Sequence, residues 1–307
     1  MHETITQIKT ELSKAIIAQE EMVDALLIGL LCDGHILVEG VPGLAKTSTI
    51  KALAATMALD FKRIQFTPDL LPSDIIGAMI YDPKSNDFKI KKGPIFTHLL
   101  LADEINRSPS KVQSALLEVM QERQVTIGDS SFEIDEPFLV MATQNPLEQE
   151  GVYRLPEAQL DRFMLKVIVE HNSFDDELQI MKQIANKTSK DINSLDIMQN
   201  LTQIKEAVEK IHIDPQVEKY ILNLVRATRN KNPNISYGAS PRASIDLYKA
   251  SKARAFLNRK DFVSPKEVAQ MAYPVLRHRI GLSYHALASK ITTDDLIKDM
   301  IKKTPIP

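Results

Sequence analysis

The segment Gly40-Val41-Pro42-Gly43-Leu44-Ala45-Lys46-Thr47 carries two glycines, a lysine and a hydroxyl residue in one short run. A loop of this kind aims several backbone N–H groups at one point, and a helix starting at its end adds a favourable dipole for anions. Gly40 to Ala45 are therefore expected to cradle the phosphates of ATP, with Lys46 reaching the β- and γ-phosphates and Thr47 placing its hydroxyl on Mg2+. The last loop position, usually glycine, is Ala45; alanine offers its N–H where the backbone needs no positive φ. A second pair, Asp103-Glu104, ends the apolar run Leu99-Leu100-Leu101-Ala102. Asp103 is expected to hold the magnesium shell and Glu104 to orient or deprotonate the attacking water. A base that shares one water with a metal must sit close to the metal ligand, and adjacency in the chain supplies that.

Three further polar residues fall at the ends of predicted elements. Asn145 follows Ala142-Thr143-Gln144, where an amide can bind the water or the γ-phosphate. Arg162, in Leu160-Asp161-Arg162-Phe163, and Arg242, in Gly238-Ala239-Ser240-Pro241-Arg242, are arginines of the type that spreads positive charge over phosphoryl oxygens. Surface arginines are common, so spacing alone assigns these two no role.

The elements that must position these groups follow from apolar periodicity. Ile5, Ile8, Leu12 and Ile16 recur at helical spacing, and a second helical pattern runs from 20 to 31 and stops at Gly34. Short apolar runs at 35–39, 61–66, 98–102, 138–142 and 163–169 read as buried strands, with helices over 46–58 and 110–123. Strands alternating with helices predict a parallel sheet covered on both faces. Turn clusters at 82–87 and 128–130 predict two hairpin inserts, about 77–93 and 124–135. From Ser173 onward the pattern is helix after helix, punctuated by Pro215, Pro241, Pro265 and Pro274, with no convincing strand. The expectation is an α/β core over 1–172 and an all-α domain over 173–307.

Composition narrows the class. Of 307 residues, 44% are hydrophobic and 25% charged, as in globular proteins, and the net charge of -2 does not mark a nucleic-acid binder. The apolar stretch 22–31 is too short to span a bilayer, and no secretory signal is visible at the N-terminus. Cys32 is the single cysteine; it suits a reducing, cytoplasmic setting and reads as a small buried hydrophobe. Charge is unevenly spread: residues 1–196 hold 19 Lys and Arg against 30 Asp and Glu, and residues 197–307 hold 19 against 10. Two solvated surfaces, or docking between neighbouring subunits, would explain this.

Taken in order, these stretches resemble the MoxR family of AAA+ ATPases. The likeness runs from about Ile16 to Arg279 and rests on Gly40–Thr47 with its alanine, residues 65–74, 93–96, 102–107, 142–146, 155–163, 238–243 and 274–279. The resemblance implies a AAA+ P-loop core with a five-stranded parallel sheet and a helical lid, and it places the chain in the helix-2-insert clade. It implies Asn145 as sensor 1, Arg242 as the lid's sensor 2 and Arg162 as an arginine finger reaching the next subunit. Ile17 and Gln19 fall where such proteins form the adenine pocket; Ala18, between them, stands where the family commonly has glycine. It further implies a hexameric homo-oligomer, a chaperone-like role in metal-cofactor insertion or complex maturation, and von Willebrand factor A-domain partners. The alternative within this fold is a nucleic-acid-translocating motor. Such motors need basic hairpin tips, whereas Gly128-Asp129-Ser130 is acidic and Lys84, Lys89, Lys91 and Lys92 are offset by Asp82 and Asp87. A P-loop kinase or nucleotide-sensing module fits Glu104 and Asn145 less well than hydrolysis does.

Overall fold

The computed structural model describes residues 1–146, 153–186, 191–195 and 197–307. The chain opens with α1 (His2–Ser13) and α2 (Glu20–Leu31), then β1 (Ile36–Glu39), α3 (Lys46–Thr56) and β2 (Phe61–Gln65). A short α4 (Pro72–Ile76) leads into the hairpin β3 (Gly77–Asp82) and β4 (Asp87–Lys92). β5 (Leu99–Asp103), α5 (Ser110–Glu122) and a second hairpin, β6 (Gln124–Ile127) and β7 (Ser130–Glu133), follow. β8 (Leu139–Gln144), α6 (Glu157–Leu160) and β9 (Leu165–Ile168) complete the sheet.

Five strands pair in parallel in the order β2-β5-β8-β1-β9. The side chains of the three inner strands alternate between two cores. Ile36, Val38, Leu99, Leu101, Leu139 and Met141 enter one cluster with residues of α1, α2 and α3. Leu37, Leu100 and Val140 enter the other, with Val112, Leu116 and Leu117 of α5 and Val125 and Ile127 of β6. Burial on both faces is why β1, β5 and β8 are apolar runs without alternation, whereas the edge strands β2 and β9 carry Lys62, Arg63 and Lys166. His35 ties the start of β1 to its surroundings: Nδ1 accepts from the Val140 N–H at 3.0 Å, and Nε2 lies 3.0 Å from the Met120 carbonyl. Burial pushes its pKa down to about 3, so the ring is neutral and Nε2 donates.

Beyond β9 come α7 (Phe174–Ala185), α8 (Met198–Glu209), α9 (Pro215–Ala227), β10 (Ile235–Tyr237), α10 (Pro241–Leu257), α11 (Pro265–Leu276), β11 (Gly281–Leu282), α12 (Tyr284–Ala288) and α13 (Thr293–Lys303). Buried residues of α8 to α11 and α13 join the α1–α3 cluster in one continuous apolar core. Two expectations for this segment need correction. It is not purely helical: β10 and β11 pair antiparallel, with a shifted register between Ile235 and Tyr237. Pro215, Pro241 and Pro265 do open helices, where a missing N–H costs nothing. Pro274 instead lies inside α11, two residues from its end, so it weakens the last turn without ending the helix before it.

Burial raises the Cys32 thiol to about 12, which fits an inert residue. Among the described residues, no helix is long and apolar enough to cross a membrane.

Candidate nucleotide site

The P-loop links the end of β1 to the start of α3, and β5 and β8 end beside it. Pro42 to Ser48 form one wall of a cleft of about 380 Å³, and Arg63, Asp103, Glu104, Thr143, Gln144 and Asn145 form the other. The predicted residues Pro42, Gly43, Leu44, Ala45, Lys46, Thr47, Asp103, Glu104 and Asn145 therefore meet in one place. Gly40 and Val41 serve from behind: Lys46 Nζ donates to the Gly40 carbonyl and, at 3.2 Å, to that of Val41. Gly40 must be glycine because a Cβ there would stand 2.8 Å from the Val169 carbonyl oxygen. Gly43 takes φ +88° and faces open space.

Ala45 corrects the sequence reading. It adopts φ 54°, ψ 15°, the left-handed conformation, so the position does require the positive φ that glycine normally supplies. Ala18, at φ 57°, does the same before α2. Glu104 is also left-handed, at φ 57°, ψ 49°. A bulky residue held there turns the chain sharply at the end of β5, leaving Asp103 and Glu104 on the cleft wall.

The carboxylates are wired by Arg63, which lies outside the stretches that carry the family resemblance, and by Gln65, Arg107 and Thr143, which lie inside them but have no role assigned from the sequence. Asp103 Oδ2 accepts from Arg63 Nη2 at 2.7 Å and Nε at 3.1 Å, and its Oδ1 accepts from Thr143 Oγ1 at 2.5 Å. The same Thr143 oxygen accepts the Glu104 N–H at 2.9 Å, fixing both acids to β8. Glu104 Oε2 accepts from Gln65 Nε2 at 2.7 Å and pairs with Arg107 Nη1 at 3.1 Å. Gln65 is itself oriented by Arg63, whose Nη2 donates to its Oε1 at 2.8 Å. Burial pulls the Lys46 ammonium below its ordinary pKa, against the opposing pull of Asp103 and Glu104.

The remaining predicted residues lie elsewhere. Gln19 is buried beside a second cleft of about 650 Å³, formed by the N-terminus of α2, the end of β9, Arg277 and Asp294. Its Nε2 donates to Asn172 Oδ1 at 3.2 Å. Ile17 is half-buried just before it. Arg162 Nη1 donates to the Leu117 carbonyl of α5 at 2.9 Å, and Arg242 Nη1 contacts the Asp161 carbonyl at 3.4 Å. Neither arginine lines the 380 Å³ cleft.

Residues 35–165 match the family model for the ATPase family associated with various cellular activities (AAA), and residues 226–300 match the AAA lid domain. Chaperone MoxR1 of Mycobacterium tuberculosis is 42% identical over 97% of this chain and 81% of its own length. The chain belongs to the MoxR family of AAA+ ATPases. Protein MoxR of Methylorubrum extorquens is 26% identical, covering 97% of this chain and 93% of that protein. A crystal structure from Cytophaga hutchinsonii, assigned provisionally as an ATPase, superposes with a TM-score of 0.92 at 47% identity, covering 100% of this chain and 96% of that one.

The residues facing the cleft also fit Mg2+. A threonine hydroxyl and an aspartate carboxylate on facing walls are hard oxygen donors of the kind Mg2+ takes alongside water and phosphate oxygens.

Proposed function

We propose that this MoxR-family protein binds ATP with Mg2+, hydrolyses it within a hexameric ring of identical chains, and uses the cycle to remodel partner proteins in a chaperone-like way. The observation that carries the reading is that Lys46, Thr47, Asp103, Glu104 and Asn145 share one cleft. On binding, phosphate oxygens replace the loop carbonyls as partners of Lys46. Thr47 and Asp103 would hold Mg2+, which when bound draws charge off the β- and γ-phosphate oxygens. Glu104 accepts a proton from the attacking water, and Asn145 orients that water. Glu104 must first leave Gln65 and Arg107, because a carboxylate oxygen held by two donors is a weaker base. Gln19 and Ile17 flank the base of the nucleotide, Arg242 answers the γ-phosphate from the same chain, and Arg162 does so from the next.

The core over 1–172 and the lid over 173–307 are read as the two bodies that shift with nucleotide state. A von Willebrand factor A-domain protein is the proposed partner class. Protein clients are favoured over nucleic acid because two of the four lysines of the first hairpin are engaged within the chain and the second hairpin has the acidic tip Gly128-Asp129-Ser130. Lys89 pairs with Asp82, and Lys92 lies over the Phe96 and Phe132 rings at 4.6 and 4.9 Å.

The test separates binding from turnover. Lys46→Ala should lose binding of a fluorescent ATP analogue. Glu104→Gln should keep that binding and lose phosphate release by roughly 10²–10⁴-fold, the usual contribution of a general base. Equal loss of binding in both variants would remove the assignment.

A further inference from the structure

Asp161 stands between the two arginines, and its bonding is unusually complete. Its carboxylate accepts from Ser240 Oγ at 3.0 Å on Oδ1 and 2.8 Å on Oδ2, and from Arg279 Nε at 2.8 Å. Its carbonyl accepts from Arg279 Nη2 at 3.1 Å and Arg242 Nη1 at 3.4 Å. Arg279 is buried, with 1% of its side chain exposed, and pairs on its other side with Asp246 of α10. It also donates to the carbonyls of Phe163 at 2.8 Å and Val275 at 3.0 Å. One buried guanidinium thus joins a carboxylate after α6 to a carboxylate on α10, while Ser240, the N-cap of α10, grips the same Asp161 directly. A planar fork with its donors used in this way holds geometry closely, and removing one partner strands a buried charge.

The consequence lies in what is attached to each end. Arg162 is the next residue after Asp161, and Arg242 is the second residue of α10 after its Ser240 cap. Arg162 points away from the seam toward the Leu117 carbonyl, so the two guanidiniums face different places while sharing one peptide as their footing. A rotation of α10 that carries Arg242 toward a nucleotide drags Ser240, Asp161 and the Arg162 backbone with it.

We propose that Asp161 is a positioning residue that joins Arg162 to α10 through Ser240 and Arg279, so that the nucleotide state of one protomer's lid sets where its Arg162 stands at the neighbouring protomer's site. This rests on the reading above that Arg242 serves its own chain's site and Arg162 the next. An Arg279 cluster that merely held the lid on would be blind to Arg162, and that difference is measurable.

The informative change is Ser240→Gly, which removes the hydroxyl grip yet keeps a residue tolerated at a helix N-cap. Ser240→Thr restores the hydroxyl. ATP turnover would be measured across ATP concentrations for both, for Arg162→Ala, and for Ser240→Gly combined with Arg162→Ala, with thermal melts confirming folding. The expected result is a kcat lowered about tenfold in Ser240→Gly, with KM little changed and recovery in Ser240→Thr. Adding Ser240→Gly to Arg162→Ala should cost nothing more, because Ser240 acts through Arg162. Losses that multiply, a change confined to KM, or a wild-type kcat in Ser240→Gly would overturn the proposal. Should Ser240→Gly not fold, Asp161→Asn in the same cycle carries the same expectations. An Arg162→Ala protein that turns over like wild type would instead overturn the arginine reading itself, whatever Ser240 does.

Discussion

The nucleotide cleft and the seam where α6 meets α10 handle charge in opposite ways. In the cleft, Lys46 is held by two loop carbonyls, and Glu104 by Gln65 and Arg107. Each of these is a partner that a phosphate or a water can replace. At the seam, Arg279 is buried and shared between Asp161 and Asp246, with its other donors engaged by backbone carbonyls. Among the described residues, every donor group of Arg279 already has a partner. The cleft is built to exchange partners, and the Arg279 cluster to keep its own while Arg162 and Arg242, beside it, hold single carbonyl contacts.

The largest effect bearing on this contrast concerns the arginine that hangs from the seam. Arg162→Ala should bind ATP nearly normally and hydrolyse it roughly 10³–10⁵-fold more slowly, the scale of a supplied arginine finger. Mixing it with Glu104→Gln should restore part of the turnover, because some interfaces would join an intact base to an intact arginine. Absence of rescue in mixtures shown to exchange subunits would undo the contrast, since Arg162 would then act within its own chain.

A smaller effect tests exchange within the cleft. Gln65→Ala removes one of the two donors on Glu104 Oε2. A net hydrogen bond contributes about 1 kcal/mol, so freeing the carboxylate should raise basal phosphate release about fivefold. A rate that falls would mean that Gln65 positions Glu104 for catalysis instead of holding it back.

The smallest effect separates functional strain from ordinary strain. Ala18 holds a left-handed backbone outside the phosphate cradle. Ala18→Gly should stabilise the protein by about 1 kcal/mol, seen as a Tm rise of about 2 °C, with kcat unchanged. A loss of Tm would show that the Ala18 methyl contributes packing that outweighs its backbone strain.

Most of the core is legible in the amino-acid sequence, and the reason is physical. Strands such as Leu99–Asp103 and Leu139–Gln144 are buried on both faces, so the chain must be apolar throughout until the strand reaches the cleft. The residues that touch phosphate need particular chemical groups at fixed spacing, which makes Gly40–Thr47 and Asp103-Glu104 visible. The wiring behind them is different. Arg63, Gln65 and Thr143 meet Asp103 and Glu104 only because β2, β5 and β8 lie side by side, and pairing across 40 residues leaves no local pattern. β10 and β11 leave no trace either, because Ile-Ser-Tyr and Gly-Leu are too short to show a period. The left-handed turn at Ala45 is hidden for another reason: alanine argues against the conformation that the loop nonetheless imposes.

β1 sits between β8 and β9, so Ile36 pairs with Met141 on one side and Leu165 on the other. Both partners lie more than a hundred residues downstream. During synthesis, the strand that carries the P-loop therefore has no neighbour until β8 has left the ribosome, and no second neighbour until β9 has followed. Closing loops of that length before any pairing rewards them should make β1 a late event in folding. A nascent chain halted before β8 would contain every residue of Gly40–Thr47 and still lack the surface on which they become a binding site. The phosphate cradle is thus encoded early in the chain, while both strands that flank β1, and Asn145 just past the end of β8, follow it.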